Sequence, residues 1–91
     1  MSNAPAPTAT LLLGDARKGF AGVILGLACP DAGSSLSAVE LESQLIEMGF
    51  VEGARVEILH EGAIGRDPIA VRVDDVTIAL RRREAMAVVV K

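Results

Sequence analysis

The sequence predicts a mainly β domain, a small barrel of five or six short strands with one α-helix inserted between the early and late strands. Three observations carry this. Residues 69–80 alternate around Asp74-Asp75 so that apolar side chains fall on one face of a hairpin. Residues 37–49 carry both a start and a stop signal for a helix. Residues 20–27 form an aliphatic run with glycines within and beside it, the pattern of a bent barrel strand.

Each element follows in order. Residues 1–10 hold two prolines and no charge, and read as a disordered tail ahead of one domain over 11–91. Leu11 to Leu13 form a short strand, broken by Gly14-Asp15. The bent strand Phe20–Leu27 follows, and Pro30–Ser35 reads as a loop. Ser37 is the expected N-cap, with Glu40 closing a capping box and Leu36 stapled to Leu41. Leu41, Leu45 and Met48 make one apolar stripe, while Glu40 and Glu47 face solvent. Gly49 ends the helix in the left-handed region, with Phe50 against Leu45 in a Schellman arrangement.

After a turn at Glu52-Gly53, Val56 and Ile58 point inward and Arg55 and Glu57 outward. Glu61 to Pro68 reads as a loop. The hairpin then pairs Val73 with Val76, Val71 with Ile78 and Ile69 with Leu80. A slip of one residue would bury Arg72, so the register is well specified. Arg81 to Met86 is a short helical turn, and Ala87 to Val90 a closing strand. Closure into a barrel would hide the strand edges.

Composition narrows function. The chain has 91 residues, 51% of them hydrophobic, yet its only aromatic side chains are Phe20 and Phe50. It lacks the rings that line a Pro-rich peptide groove or stack single-stranded bases. The formal charge is −3, against a nucleic-acid footprint. The longest strongly apolar run is about half the roughly 20 residues of a spanning helix. A cytoplasmic domain without direct membrane insertion is the expectation. A single cysteine, Cys29, excludes an internal disulfide and a multi-cysteine zinc site. Cys29 and His60 are far apart in sequence and read as a packing residue and a solvated one, so no catalytic residue is expected. His60-Glu61 and Asp74-Asp75 are isolated pairs, short of the donor set of a firm metal site. Gly62 and Gly65 lack the Lys-Ser/Thr of a phosphate loop. The domain is thus expected to be no enzyme and to hold no cofactor. The run Arg81-Arg82-Arg83 reads either as a solvated turn or as a contact patch for an anionic partner.

The segment Leu45-Ile46-Glu47-Met48-Gly49-Phe50-Val51-Glu52-Gly53 resembles the Leu-x-x-Met-Gly-apolar-x-x-Gly segment of FeoA, a small cytosolic protein family of ferrous iron uptake. Gly65-Arg66-Asp67-Pro68-Ile69 resembles the family's Gly-Asp-Pro-apolar loop, with Arg66 as an added residue. Leu80-Arg81 and Glu84-Ala85 resemble its Leu-Arg-x-x-x-Ala close. The resemblance implies an SH3-like barrel that works with FeoB, a membrane iron permease carrying a cytosolic GTP-binding domain. It makes Met48, Gly49, Asp67, Pro68, Arg81 and Arg82 candidates for partner contact, with Arg81 foremost. The same fold implies an alternative, a regulatory module like the C-terminal domain of iron-dependent repressors. The surplus of aliphatic residues in so small a chain leaves a homo-oligomer as a further reading.

Overall fold

The computed structural model describes residues 10–28 and 36–91. Along the chain run β1 (Leu11–Leu12), a 3₁₀ turn (Leu13–Asp15), β2 (Ala21–Leu27), α1 (Leu36–Glu47), β3 (Arg55–Ile64), β4 (Asp67–Val73), β5 (Val76–Leu80), α2 (Arg82–Ala85) and β6 (Val88–Val90). The strands form one antiparallel sheet in the order β1-β6-β2-β3-β4-β5. Most of the expected tail, Cys29 and the expected loop Pro30–Ser35 lie outside the described residues.

The corner of the sheet is built by β2. Its first half pairs with β3, Ala21 facing Glu57 and Val23 facing Arg55. Its second half pairs with β6, and the register shifts between Ile24 and Gly26. A bulge of this kind bends a strand and strengthens its twist. The glycine-rich aliphatic run is therefore the strand that passes from one part of the sheet to the other.

The hairpin register holds residue by residue. Ile69 pairs with Leu80, Val71 with Ile78 and Val73 with Val76. Ile69, Val71 and Val73 are buried to 2% exposure or less, and Val56, Ile58, Ile24, Val88 and Val90 pack into the same core. Each such side chain removed from water contributes roughly 1.5–3 kcal/mol before entropy is counted. Asp74 takes φ 53° at the turn. The Arg55 N–H donates to its Oδ1 (3.2 Å), and its own N–H donates to the Arg55 carbonyl (2.9 Å).

The helix end is the Schellman motif. The Phe50 N–H donates to the Leu45 carbonyl (2.9 Å) and the Gly49 N–H to that of Ile46 (3.0 Å). Leu45 and Phe50 are both fully buried, and Leu41 and Met48 pack partly against the core.

Four expectations are corrected. Helix α1 already contains Leu36 and Ser37, so Ser37 is not its N-cap. Serines stand at 34, 35 and 37, and pattern alone does not choose among them. Leu13 belongs to the 3₁₀ turn rather than to the first strand. Glu61–Pro68 is not a loop: β3 continues to Ile64 and β4 begins at Asp67. The two residues between them, Gly65 (φ 67°) and Arg66 (φ 60°), both take positive φ, as a type I′ turn requires. The added Arg66 makes that turn a two-residue one. Finally, the sheet does not hide all its edges. Among the described residues β5 pairs only with β4.

Gly49 adopts φ 103°, while a Cβ built there meets Val73 Cγ1 at 3.5 Å, an ordinary contact. The cost of a side chain is therefore conformational rather than steric. Gly49→Ala is expected to lower unfolding free energy by about 1–2 kcal/mol in urea titrations, with an unchanged m-value.

Candidate functional site

Arg82, the middle residue of the arginine run, turns inward. Its Nε donates to the Arg66 carbonyl (2.7 Å). Nη1 donates to the carbonyls of Gly14 (3.0 Å) and Ala16 (2.6 Å), and Nη2 to Glu61 Oε2 (2.8 Å). The Arg82 N–H donates to Asp67 Oδ1 (2.9 Å). One side chain thus ties the 3₁₀ turn, β3 and the β3–β4 turn to α2.

Glu61 reaches this place because of a register shift. Ile58 faces Val71, but Glu61 faces Ile69, one residue out of step. The extra residue in β3 moves Glu61 onto the face that Ile69 buries. The Glu61 and Arg82 side chains are 19% and 18% exposed. The Lys18 N–H is a second donor to the Glu61 carboxylate, 3.0 Å from Oε2.

The clasp fixes an exposed tip. Residues 63–68 are all exposed, and Ile64 at 87% exposure is the most exposed large apolar side chain among the described residues. Arg66 lies at the turn, and the Asp67-Pro68 peptide is cis. Arg81 sits in extended conformation just before α2, its N–H donating to Glu84 Oε1 (3.1 Å). Arg81 and Arg83 are exposed.

Of the residues marked in the sequence, the structure brings together Asp67, Pro68, Arg81 and Arg82. Met48 and Gly49 lie elsewhere, beside Val73 at the far end of β4. That strand's seven residues span roughly 20 Å. Sequence reasoning missed Glu61, Ile64 and Arg66. The available signal was an isolated isoleucine between glycines in a stretch otherwise rich in charge.

Other chemistry finds less support. His60 is an exposed residue of β3 opposite Ala70. Among the described residues no three His, Cys, Asp or Glu side chains gather as metal ligands, and no helix is long and apolar enough to cross a membrane. A shallow open groove of about 1000 Å³ runs over the outer face of β2 and β3. The Glu57 and Arg72 side chains that line it already pair with each other at 2.7 Å.

The family model of the FeoA domain matches residues 11–91. The chain belongs to the FeoA family. FeoA of Stenotrophomonas maltophilia, solved in complex with zinc and described as a prokaryotic SH3 domain protein, is 28% identical. It superposes with a TM-score of 0.72 over 89% of each chain. The iron(II) transport protein A of Clostridium thermocellum is 30% identical, with a TM-score of 0.71 over 89% of this chain and 44% of that one. A manganese-dependent transcriptional repressor shares the fold at 21% identity and a TM-score of 0.73, over 94% of this chain and 42% of its own. No curated protein matches the chain. The fold is thus the SH3-like barrel that the FeoA resemblance implies.

Arg82→Ala removes the guanidinium donors to Glu61 and to the Gly14, Ala16 and Arg66 carbonyls, leaving Glu61 only the Lys18 N–H. It is expected to cost about 2–3 kcal/mol of unfolding free energy. Arg82→Lys is expected to recover less than half, because an ammonium cannot fork to four acceptors. Arg72→Ala removes an ion pair whose side chains are 51% and 38% exposed. It is expected to change stability by about 0.5 kcal/mol or less. Chemical denaturation of the three variants checks the order.

Proposed function

We propose that this FeoA-family domain is a non-catalytic cytosolic accessory protein of ferrous iron uptake, docking on the cytosolic part of a FeoB-type permease through the β3–β4 tip. The observation that supports the tip is Ile64, an aliphatic side chain held almost wholly in solvent at the end of a hairpin whose base is clamped by Arg82. A rigid presentation lowers the ordering cost of binding. Arg66 beside it adds a cation that steers an acidic surface. Pro68 and Asp67 shape the same tip, whereas Arg82 acts through the fold. Arg81 stands at its base, and Met48 and Gly49 belong to a separate surface that the partner would reach only by a second contact.

A second reading has one observation in its favour, the fold shared with the manganese-dependent repressor, of which this domain matches less than half. In that reading the barrel is a regulatory module that acts on another domain. Genes adjacent to the coding sequence separate the two: a permease gene supports docking, a repressor gene the alternative.

The direct test is binding of the purified chain to the matching permease, full length in detergent and as its cytosolic part, with and without guanine nucleotide. Saturable binding is expected. Ile64→Glu is expected to weaken it by about tenfold or more while leaving the melting temperature in place, since Ile64 contributes little to the core. Absence of binding in every condition overturns the proposal.

A further inference from the structure

We propose that the chain forms a two-fold dimer by antiparallel pairing of β5 with β5 of a second copy. The sequence of β5 is Val-Thr-Ile-Ala-Leu. Among the described residues it has one neighbour, β4, and its ladder with β4 shows no bulge. Folded proteins guard a free edge with lysine, proline, a bulge or extreme shortness. The opposite edge, β1, has only two residues. β5 has none of these protections.

The geometry sets the register. A two-residue turn closes on a hydrogen-bonded pair, here Val73 with Val76. Val76, Ile78 and Leu80 therefore bond to β4, and Thr77 and Ala79 direct their N–H and C=O groups outward. A two-fold antiparallel partner that bonds to both must pair Thr77 of one copy with Ala79 of the other. Ile78 then meets Ile78, and Val76, 57% exposed, meets Leu80. The same register brings the turn residue Asp75 of one copy to the Arg81 end of the other.

That last pairing identifies the occupant. Asp75 and Arg81 are both exposed, flank the strand at its two ends and carry opposite charge. Arg81 is still extended, so strand alternation puts its side chain on the face of Thr77 and Ala79, and Asp75 stands in the turn next to Val76. Neither takes part in an ion pair within the described residues. Opposite charges at the two ends of an uncharged edge complement each other only when the same edge is turned end for end. A second copy provides this, twice per dimer. Ile64 and Arg66 take no part in the pairing, so the docking tip stays free.

Light scattering and sedimentation over a range from low micromolar to near-millimolar concentration test the proposal on the full chain. A concentration-dependent monomer–dimer equilibrium that weakens with salt is expected. Thr77→Pro removes an outward N–H without touching the β4 ladder and is expected to yield a folded monomer, checked by circular dichroism. Asp75→Arg and Arg81→Glu alone are each expected to weaken the dimer about tenfold or more. The double variant Asp75→Arg/Arg81→Glu is expected to restore it. These two charge changes carry the test should Thr77→Pro fail to fold. A wild-type monomer at all concentrations overturns the proposal. So does a dimer indifferent to the single reversals, or a double variant no better than either single one. None of these outcomes bears on the permease assay with Ile64→Glu.

Discussion

The Arg82 guanidinium is the constraint on which the rest of this domain depends. Strand ladders and aliphatic packing build the sheet and bury Leu13 of the 3₁₀ turn and Ala85 of α2, but both segments are short and the β3–β4 turn is exposed. A fork of donors aimed at four acceptors adds a directional tie between them, because the acceptors lie on three separate pieces of chain: the 3₁₀ turn, β3 and the β3–β4 turn. The carboxylate of Glu61 neutralises the charge that this placement partly removes from water. Lys18 and Asp67 close the network from either side.

The legible and illegible parts of the fold divide along one physical line. The β4–β5 hairpin was readable because alternation has a period of two and a single slip would bury Arg72. Helix α1 was readable at its C-terminus, where Gly49 and Phe50 have one conformation that satisfies both. Its N-terminus was not, since several serines compete for one capping role. The β3 bulges were hidden because an inserted residue leaves composition unchanged while inverting every side chain beyond it. Glu61 looked like a loop carboxylate for that reason. The candidate site divides the same way: motif order marks Asp67, Pro68 and Arg81 as candidates, whereas Ile64 and Glu61 enter only through register.

The scarcity of aromatic side chains has a structural counterpart. Phe50 is consumed by the core at the end of α1, and Phe20 packs partly against it. The exposed β3–β4 tip proposed for docking is left with aliphatic groups, charges and backbone. Such a surface binds well only if it is rigid, because aliphatic side chains lack the broad area by which one ring anchors a contact. The type I′ turn at Gly65-Arg66 and the clasp beneath it meet that requirement together, one by fixing the strands' approach and the other by fixing the turn against α2.

The arginine run shows why a charge pattern needs geometry before it has meaning. In sequence the three arginines are equivalent, and their summed charge points to a basic patch. In the fold the transition from β5 to α2 separates them. Arg81 is still extended and continues the alternation of the strand, so its side chain belongs to the outer face of the β5 edge. Arg82 begins the helix and is turned beneath it. Arg83 returns to solvent. A run of like charge would ordinarily repel a second copy of itself. Withdrawing the middle arginine to Glu61 lowers that repulsion at the point where the two copies would meet, and leaves Arg81 to face the carboxylate of Asp75.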